Sequence, residues 1–508
     1  MAGAVALDSE VCQRCYYSIV ATFYVQNFGC RATQADGAAI ERQFEEQGLE
    51  RASGARDAEV VVLNTCTVTA SADRDARAAI RRVHRENPHA RIVVTGCYAQ
   101  RSPAELASLP GVTQVIGNSH KHQLAEIAIA HTSESQTPDR ILTAQAFVPL
   151  AHLATTHSGG GGQRRTDDDR PPIFVSDIFA HTELLAAPVF DSANERTRPN
   201  LKVQDGCDNR CSFCVIPFVR GHSRSLRLDE VLRQVNALAA AGYRELVISG
   251  INLGRWGRDL EWDNRPQVSG SKGRPTDDDR QFAFLVRSIL DYTSLEKLRI
   301  SSVEPTDWSD ELIALVANSP RIAKHAHVPM QSGSDTVLRR MHRKYRPWHY
   351  RAKIEKIRAA MPCAAIGADV MVGFPGETDA EFEDTRRMIE DLPFTYLHVF
   401  TYSARPGTPA AALPDQVPLE VVRHRNRLLR ELAARKKLAF MHSFVGRTLD
   451  AITLAGASAN TGGKRVPVTE ALTDNYLSLH LRGRWQPNRW MRARIETVQD
   501  GSLVGAAC

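Results

Sequence analysis

Three cysteines on one short loop constrain this chain more than any other feature. Residues 206–217 read GCDNRCSFCVIP, which places Cys207, Cys211 and Cys214 at C-x3-C-x2-C spacing. Three thiolates so close together can ligate three irons of a cubane [4Fe–4S] cluster and leave the fourth iron open to a small molecule. Soft, negatively charged thiolates suit that role. Zinc is the competing reading, but a closed zinc site wants four ligands, often as paired C-x2-C elements. No fourth Cys or His stands at such a spacing, although His222 is near. The spacing therefore favours the cluster. The loop follows a strand-like run, LKVQD from Leu201, and leads into a helical stretch.

The flanking periodicity predicts the rest of the architecture. From residue 21 to about 140, strand-like ATFYVQNFG, EVVVLNT and ARIVVTGC alternate with the helical runs ADGAAIERQFEEQG and ARAAIRRVHREN. Such βαβαβ order builds a small parallel sheet covered by helices. Residues 196–440 repeat the alternation. ELVISG, KLRISS, HAHVPM, GADVMVGF and YLHVF are the later strands, and LDEVLRQVNALAAAG is an amphipathic helix ended by Gly242. Consecutive βα units of this length curl into a complete or partial parallel barrel. From 441 to 508 the runs become short and alternate in polarity, broken by Gly, Asn and Asp, as in a small antiparallel β-barrel. The expected fold class is thus α/β with a β-barrel appended. Residues 1–20 are read as a tail, 141–195 as a flexible linker, and about 258–281 as an insertion in the barrel. The last two share the sequence TDDDR and are Gly-rich or strongly charged, which buries little apolar surface.

The chain has ten cysteines. Cys30, Cys66 and Cys97 each stand at the C-terminal end of a predicted strand in the first domain. Open α/β sheets bind ligands along that edge. The residues alone leave two readings open: a second cluster, or three buried free thiols of the kind common in cores. Cys363 and Cys508 have no partner spacing. Cys12 and Cys15 form an isolated C-x2-C pair, too few ligands for a closed site.

Composition excludes little. Hydrophobic residues make up 43% and charged residues 24%, as in ordinary soluble domains. The first twenty residues lack the basic start and apolar stretch of a signal peptide, and no apolar run is long enough to span a bilayer, so a cytoplasmic location is expected. The net charge of +6 permits a nucleic-acid partner without requiring one. Arginine-rich stretches recur at 81–85, 339–346, 423–430 and 482–494; each alone reads as a solvated face.

The cysteine loop resembles the signature of the radical S-adenosylmethionine superfamily, and the phrases NFGCRATQADGAAI, LNTCTVTASADRDARAAIRR and VTGCYAQRSP resemble the N-terminal domain of its methylthiotransferase family. RISSVEP, HVPMQSGSDTVLRRMHRKY, DVMVGFPGETDAEFEDT and FTYSARPGTPAA continue the likeness, and the tail is similar to the TRAM domain, a small RNA-binding barrel. The likeness covers nearly the whole chain. It implies two [4Fe–4S] clusters, one on Cys207, Cys211 and Cys214 and an auxiliary one on Cys30, Cys66 and Cys97, with S-adenosylmethionine as cofactor. It also implies cofactor contacts from Phe213, beside the adenine, and from Gly250, Asn252 and Glu304. Gln331 and Ser332 would line the substrate side and Asp369 would be buried support. GFPGET, from Gly373, reads as a tight turn.

The implied reaction inserts sulfur and a methyl group at an unactivated C–H bond. The segment after Cys66 and the GSD at Gly333 to Asp335 resemble the branch acting on N6-threonylcarbamoyladenosine of tRNA, at C2, beside the anticodon. The sister branches act on isopentenyladenosine in tRNA or on an aspartate of a ribosomal protein. The expected partners are a tRNA anticodon loop, an electron donor such as a flavodoxin or ferredoxin, and a sulfur donor. The C-terminal arginines and RRMHRKYR are expected to contact phosphates. Two readings of other classes stay open: a radical enzyme without sulfur insertion, and a non-catalytic RNA-binding protein.

Overall fold

The computed structural model describes residues 21–130, 170–181, 184, 197–260, 281–455 and 467–508. Cys12, Cys15 and most of both TDDDR segments lie outside the described residues. Six strands form the first sheet: β1 (Thr22–Asn27), β2 (Glu50–Arg51), β3 (Val60–Thr65), β4 (Arg91–Gly96), β5 (Val112–Ile116) and β6 (Ile173–Phe174). Their order is β2-β1-β3-β4-β5-β6, and every pairing is parallel. The central strand β3 reads VVVLNT and is buried at every position, as a strand covered on both faces must be. β6 departs from the expected linker. The short apolar run PPIFV sits within 141–195, and its Ile173 and Phe174 pair with Val115 and Ile116 at the sheet edge. Two apolar residues beside an open edge gain ladder hydrogen bonds that a charged, Gly-rich stretch does not offer.

The second domain carries β7 (Asn200–Asp205), β8 (Arg224–Ser225), β9 (Glu245–Gly250), β10 (Lys297–Ile300), β11 (His325–His327), β12 (Ala365–Val372) and β13 (Tyr396–Thr401). They hydrogen-bond in the orders β10-β9-β7-β8 and β11-β12-β13. Bridges Leu298↔Ile322 and Ser302↔His327 join the two groups. All neighbours are parallel except β8, so the strands curve into a partial barrel, with one continuous apolar core beneath the helices. The first sheet docks on this barrel through the helix Arg31–Glu46, which packs on β7. That docking explains why β7 is buried throughout although it carries Lys202, Gln204 and Asp205.

The last strands are β14 (Thr448–Thr453), β15 (Val468–Thr473), β16 (Ser478–Arg482), β17 (Trp490–Gln499) and β18 (Ser502–Ala507). They close in the order β14-β15-β16-β18-β17, antiparallel except for β16 with β18. The β15–β16 turn reaches the N-terminal ends of the partial-barrel strands. Arg299 Nη1 donates to the Asp474 carbonyl at 3.1 Å, Lys297 pairs with Asp474 at 3.1 Å, and Asn475 donates to the Cys363 carbonyl at 3.0 Å. Tyr476, at φ 67°, lies against His325 and Tyr396 and accepts from Arg31 at 3.5 Å. The turn therefore touches both other domains. Among the described residues no helix is long and apolar enough to cross a membrane.

Candidate functional site

Parallel neighbours β1, β3 and β4 lie side by side, so the loops leaving their C-terminal ends emerge together. Cys30 follows β1 and caps the helix Arg31–Glu46, Cys66 directly follows β3, and Cys97 opens the helix Cys97–Arg101 after β4. The approach is close. A Cβ on Gly29, whose φ is +98°, would stand 2.9 Å from Cys66 Sγ. Burial pushes the Cys66 thiol up to about 12, and the charges of Cys97 and Cys30 push the same way. A Cys66 thiol held neutral by burial becomes a thiolate when it coordinates a bound cation centre. The adjacency of the three loops is the placement that a second cluster requires.

The other triad follows β7. Burial pushes the Cys207 thiol up to about 11 and the Cys214 thiol up to about 12, and Cys211 adds to both shifts. Cys207 Sγ accepts from the Asn209 amide at 3.4 Å and from Asn252 Nδ2 at 3.6 Å. Cys211 Sγ accepts from Arg343 Nη1 at 3.3 Å. Donors to sulfur stabilise a thiolate and tune a cluster that it holds. His222 has an exposed side chain whose Nδ1 lies 2.8 Å from Asp208.

The sequence-derived cofactor residues gather at this triad by different routes. Asn252 touches Cys207 directly. Gly250 ends β9 where Gln204 crosses it, and a Cβ there would stand 2.8 Å from Gln204 Oε1. Gln204 Oε1 accepts from the Asn252 amide at 2.7 Å, while its Nε2 donates to the Asp205 and Gly206 carbonyls at 2.9 Å. That side chain locks the entry to the cysteine loop. Phe213 is partly buried against the barrel core. Glu304 pairs with Arg343, and burial pushes its carboxyl above the ordinary value, with Arg343 opposing the shift.

Several expectations are corrected. Ser332 is 1% exposed and bonds Thr385 Oγ1 at 3.1 Å, so it supports a helix instead of lining the substrate side. Gln331 is half-buried at φ 65°, and its amide donates to the Asp369 carbonyl at 2.8 Å. Asp369 is no buried support. Its carboxylate stands 3.4 Å from His327 Nε2, and with His398 the three donor groups lie within 4.8 Å of one another on one face of β11, β12 and β13. Alternation along strands hid this group, because His, Asp and His there look like ordinary outward polar positions. The stretch RRMHRKYR does not present a row of free cations. Arg339 and Arg346 pair with Asp335, Arg340 pairs with Glu381, and Arg343 is buried on Cys211. Folding brings those acids within reach. GFPGET is a turn as expected: Glu377 accepts from the Gly373 amide at 2.7 Å and pairs with Arg425 at 2.8 Å.

One member of the second triad reaches the domain interface. Cys97 packs in one apolar cluster with Val215 and Val219, and Val215 directly follows Cys214. Around this junction lies a buried charge network. Asp36 binds Lys202, Lys121 at 3.0 Å and Arg220 at 2.9 Å, and Asp205 binds Lys202 at 2.8 Å and Arg220 at 2.9 Å. A second bridge crosses from the loop after β13. Arg405 reaches Asp73 and donates to Thr67 Oγ1 at 2.9 Å, next to Cys66.

Residues 22–117 match the family described as Uncharacterized protein family UPF0004, and residues 201–389 match the Radical SAM superfamily. The chain is 35% identical to the threonylcarbamoyladenosine tRNA methylthiotransferase MtaB of Bacillus subtilis, with 91% of each chain covered. It belongs to the radical S-adenosylmethionine methylthiotransferase family. The MtaB protein of Aquifex aeolicus is 32% identical over 92% of this chain and 99% of its own. A tRNA-2-methylthio-N(6)-dimethylallyladenosine synthase of Novosphingobium aromaticivorans is 33% identical over 85% and 86%. A solved radical S-adenosylmethionine methyltransferase, TsrM of Kitasatospora setae, shares the fold with a TM-score of 0.50 at 16% identity, over 77% of this chain and 75% of that one.

Proposed function

We propose that this enzyme is a tRNA methylthiotransferase that modifies C2 of N6-threonylcarbamoyladenosine beside the anticodon. The observation that carries the reading is the packing of Cys97, one of the three cysteines at the strand ends of the first sheet, against Val215, the residue that follows Cys214, across the domain interface. In a radical enzyme without sulfur insertion Cys30, Cys66 and Cys97 would be merely core residues, and a non-catalytic RNA-binding protein has no use for either triad. The threonylcarbamoyl branch is favoured by the MtaB relatives, which recur at 30–35% identity over most of the chain.

In this reading Cys207, Cys211 and Cys214 hold the cluster at which S-adenosylmethionine binds, and Cys30, Cys66 and Cys97 hold the auxiliary one. When bound, these groups supply a carbon radical for the C–H bond and a sulfur atom for the product. The protein's own work is positioning. Asn252 and Arg343 donate to the cysteines of the first triad, and Glu304 keeps Arg343 in place. The Asp36 network and Arg405 fix the second triad against the first, because a radical that must meet one carbon loses rate steeply with small displacements. Rings on β11 and β13, including His327, Tyr396 and His398, line the barrel face where an unstacked base is received. On the C-terminal barrel, Arg484, Arg489, Arg492 and Arg494 are exposed, with no ion pair among the described residues, and they supply phosphate contacts. The expected setting is the cytoplasm, with a low-potential electron donor and a sulfur donor as partners.

Mass spectrometry of tRNA nucleosides from strains with and without the gene tests the assignment. Loss of 2-methylthio-N6-threonylcarbamoyladenosine on deletion is expected. Loss of the isopentenyl product instead transfers the enzyme to the sister branch, and unchanged tRNA overturns the substrate.

A further inference from the structure

Behind the Cys30–Cys66–Cys97 triad the two domains enclose a small cavity, with about 20 Å³ open to the centre of a water-sized sphere, room for a single small species. Four cationic side chains, Lys121, Lys202, Arg220 and Arg224, line it against two carboxylates, Asp36 and Asp205. The wall is built and buried: Lys202 is 1% exposed and Arg220 is 2% exposed. Every carboxylate oxygen in it is already committed to cations. Donors remain. Arg220 Nε and Arg224 Nε are buried and make no hydrogen bond to protein, and the same holds for His122 Nδ1 on the same wall. An unpaired buried donor is costly, and an excess of buried positive charge costs more unless an acceptor or anion meets it.

Asn118 ties this cavity to the triad. It lines the wall, and its Nδ2 donates to Cys97 Sγ at 3.6 Å. The cavity is too small for phosphate, sulfate or any thiol-bearing organic molecule. A monatomic or diatomic monovalent anion fits. The proposed reaction consumes one sulfur atom per product, and the smallest anionic form of sulfur in water is hydrosulfide. We infer that this interdomain cavity is a hydrosulfide site, which holds the sulfur atom behind the auxiliary triad before it is used. The inference rests on the reading of Cys30, Cys66 and Cys97 as cluster ligands. It assigns Arg220 and Arg224 as the anion's hydrogen-bond donors.

Anaerobically reconstituted enzyme is crystallised and soaked in sodium hydroselenide, with a parallel soak in sodium bromide, and anomalous maps are measured at each edge. A selenium peak in the cavity, within hydrogen-bond reach of Arg220 Nε, is expected. Absence of selenium at saturating concentration overturns the site, as does a bromide peak without a selenium peak, which marks a structural halide. Kinetics supply a second arm. Arg224→Gln, which leaves the buried Arg220 in place, is expected to raise the apparent KM for sodium sulfide at least tenfold. Its kcat at saturating sulfide and its iron content should match the wild type. An unchanged KM overturns the proposal. Iron quantitation separates the two layers: about four irons per wild-type chain instead of about eight refutes the cluster reading itself, whereas about eight irons with no selenium refutes only the anion site.

Discussion

Arg343 stands between an acid and a sulfur, 8% exposed, and its removal leaves the half-buried Glu304 without its ion partner. Breaking a fully buried pair from one side costs about 3–5 kcal/mol, an upper bound for a pair with its acid partly open to solvent. Arg343→Ala is therefore expected to lower the unfolding free energy by up to that amount and to shift the electron paramagnetic resonance signal of the reduced first cluster, because Cys211 is deprived of its donor. An unaltered spectrum excludes the hydrogen bond to Cys211. The two triads also separate at this scale. Cys207→Ala should lose about four irons and all formation of 5′-deoxyadenosine. Cys66→Ala should lose a similar number of irons and the methylthio product, yet keep reductive cleavage of S-adenosylmethionine. If Cys66→Ala retains full iron content, the auxiliary site does not include it.

At the scale of elements, the helix Arg31–Glu46 carries the interface. Gly37 lies in its middle, where a Cβ would come within 1.9 Å of Asn27 Oδ1. Asn27 in turn accepts from Asn64 at 2.9 Å, and Lys121 donates to Asn64 at 3.3 Å. In an exposed helix Gly→Ala stabilises by up to about 1 kcal/mol. Here Gly37→Ala is expected to destabilise by about 1–3 kcal/mol through overpacking, read from denaturant midpoints. The same helix contributes Asp36. Burial alone would raise that carboxyl, but Lys121, Lys202 and Arg220 outweigh it and hold it well below the carboxylate range. A depressed native value means that the network stabilises fully above the unfolded value of 3.8 and is lost as pH falls through the native one. Asp36→Asn should thus lose stability at neutral pH and show a flatter decline than wild type below about pH 3.8. Parallel stability curves would show that folding does not depress the Asp36 pKa.

Across the whole molecule, the C-terminal barrel does two separate jobs. Its β15–β16 turn closes the foot of the partial barrel through Asp474, Asn475 and Tyr476, while β17 turns Arg492 and Arg494 outward. tRNA affinity and radical formation are then separable. Arg492→Ala with Arg494→Ala is expected to weaken tRNA binding and to reduce the slope of log K against log salt by roughly 0.7–0.9 for each phosphate that is no longer neutralised. Formation of 5′-deoxyadenosine without tRNA should stay at the wild-type level. An unchanged salt slope would move the tRNA surface elsewhere, for which the groove beside Arg423, Arg427 and Arg430 is the next candidate.

The sequence alone determined the first triad, since three cysteines within eight residues must share one loop whatever the fold. It also determined the α/β alternation and the change to a β-barrel, because side-chain period follows the backbone that displays it. Local spacing carries that information. The convergence of Cys30, Cys66 and Cys97 is different in kind. They are separated by whole βα units, and only the order β1-β3-β4 makes their loops neighbours. The same limit hid Arg343, which reads as one solvated arginine among several until folding sets it on Cys211. It also hid Asp369, which meets His327 and His398 only across three strands. Charge and polarity are written in the chain, but which charge is buried, and against what, is decided by packing. The cation-lined cavity behind the second triad exists only because two domains of ordinary composition close on each other there.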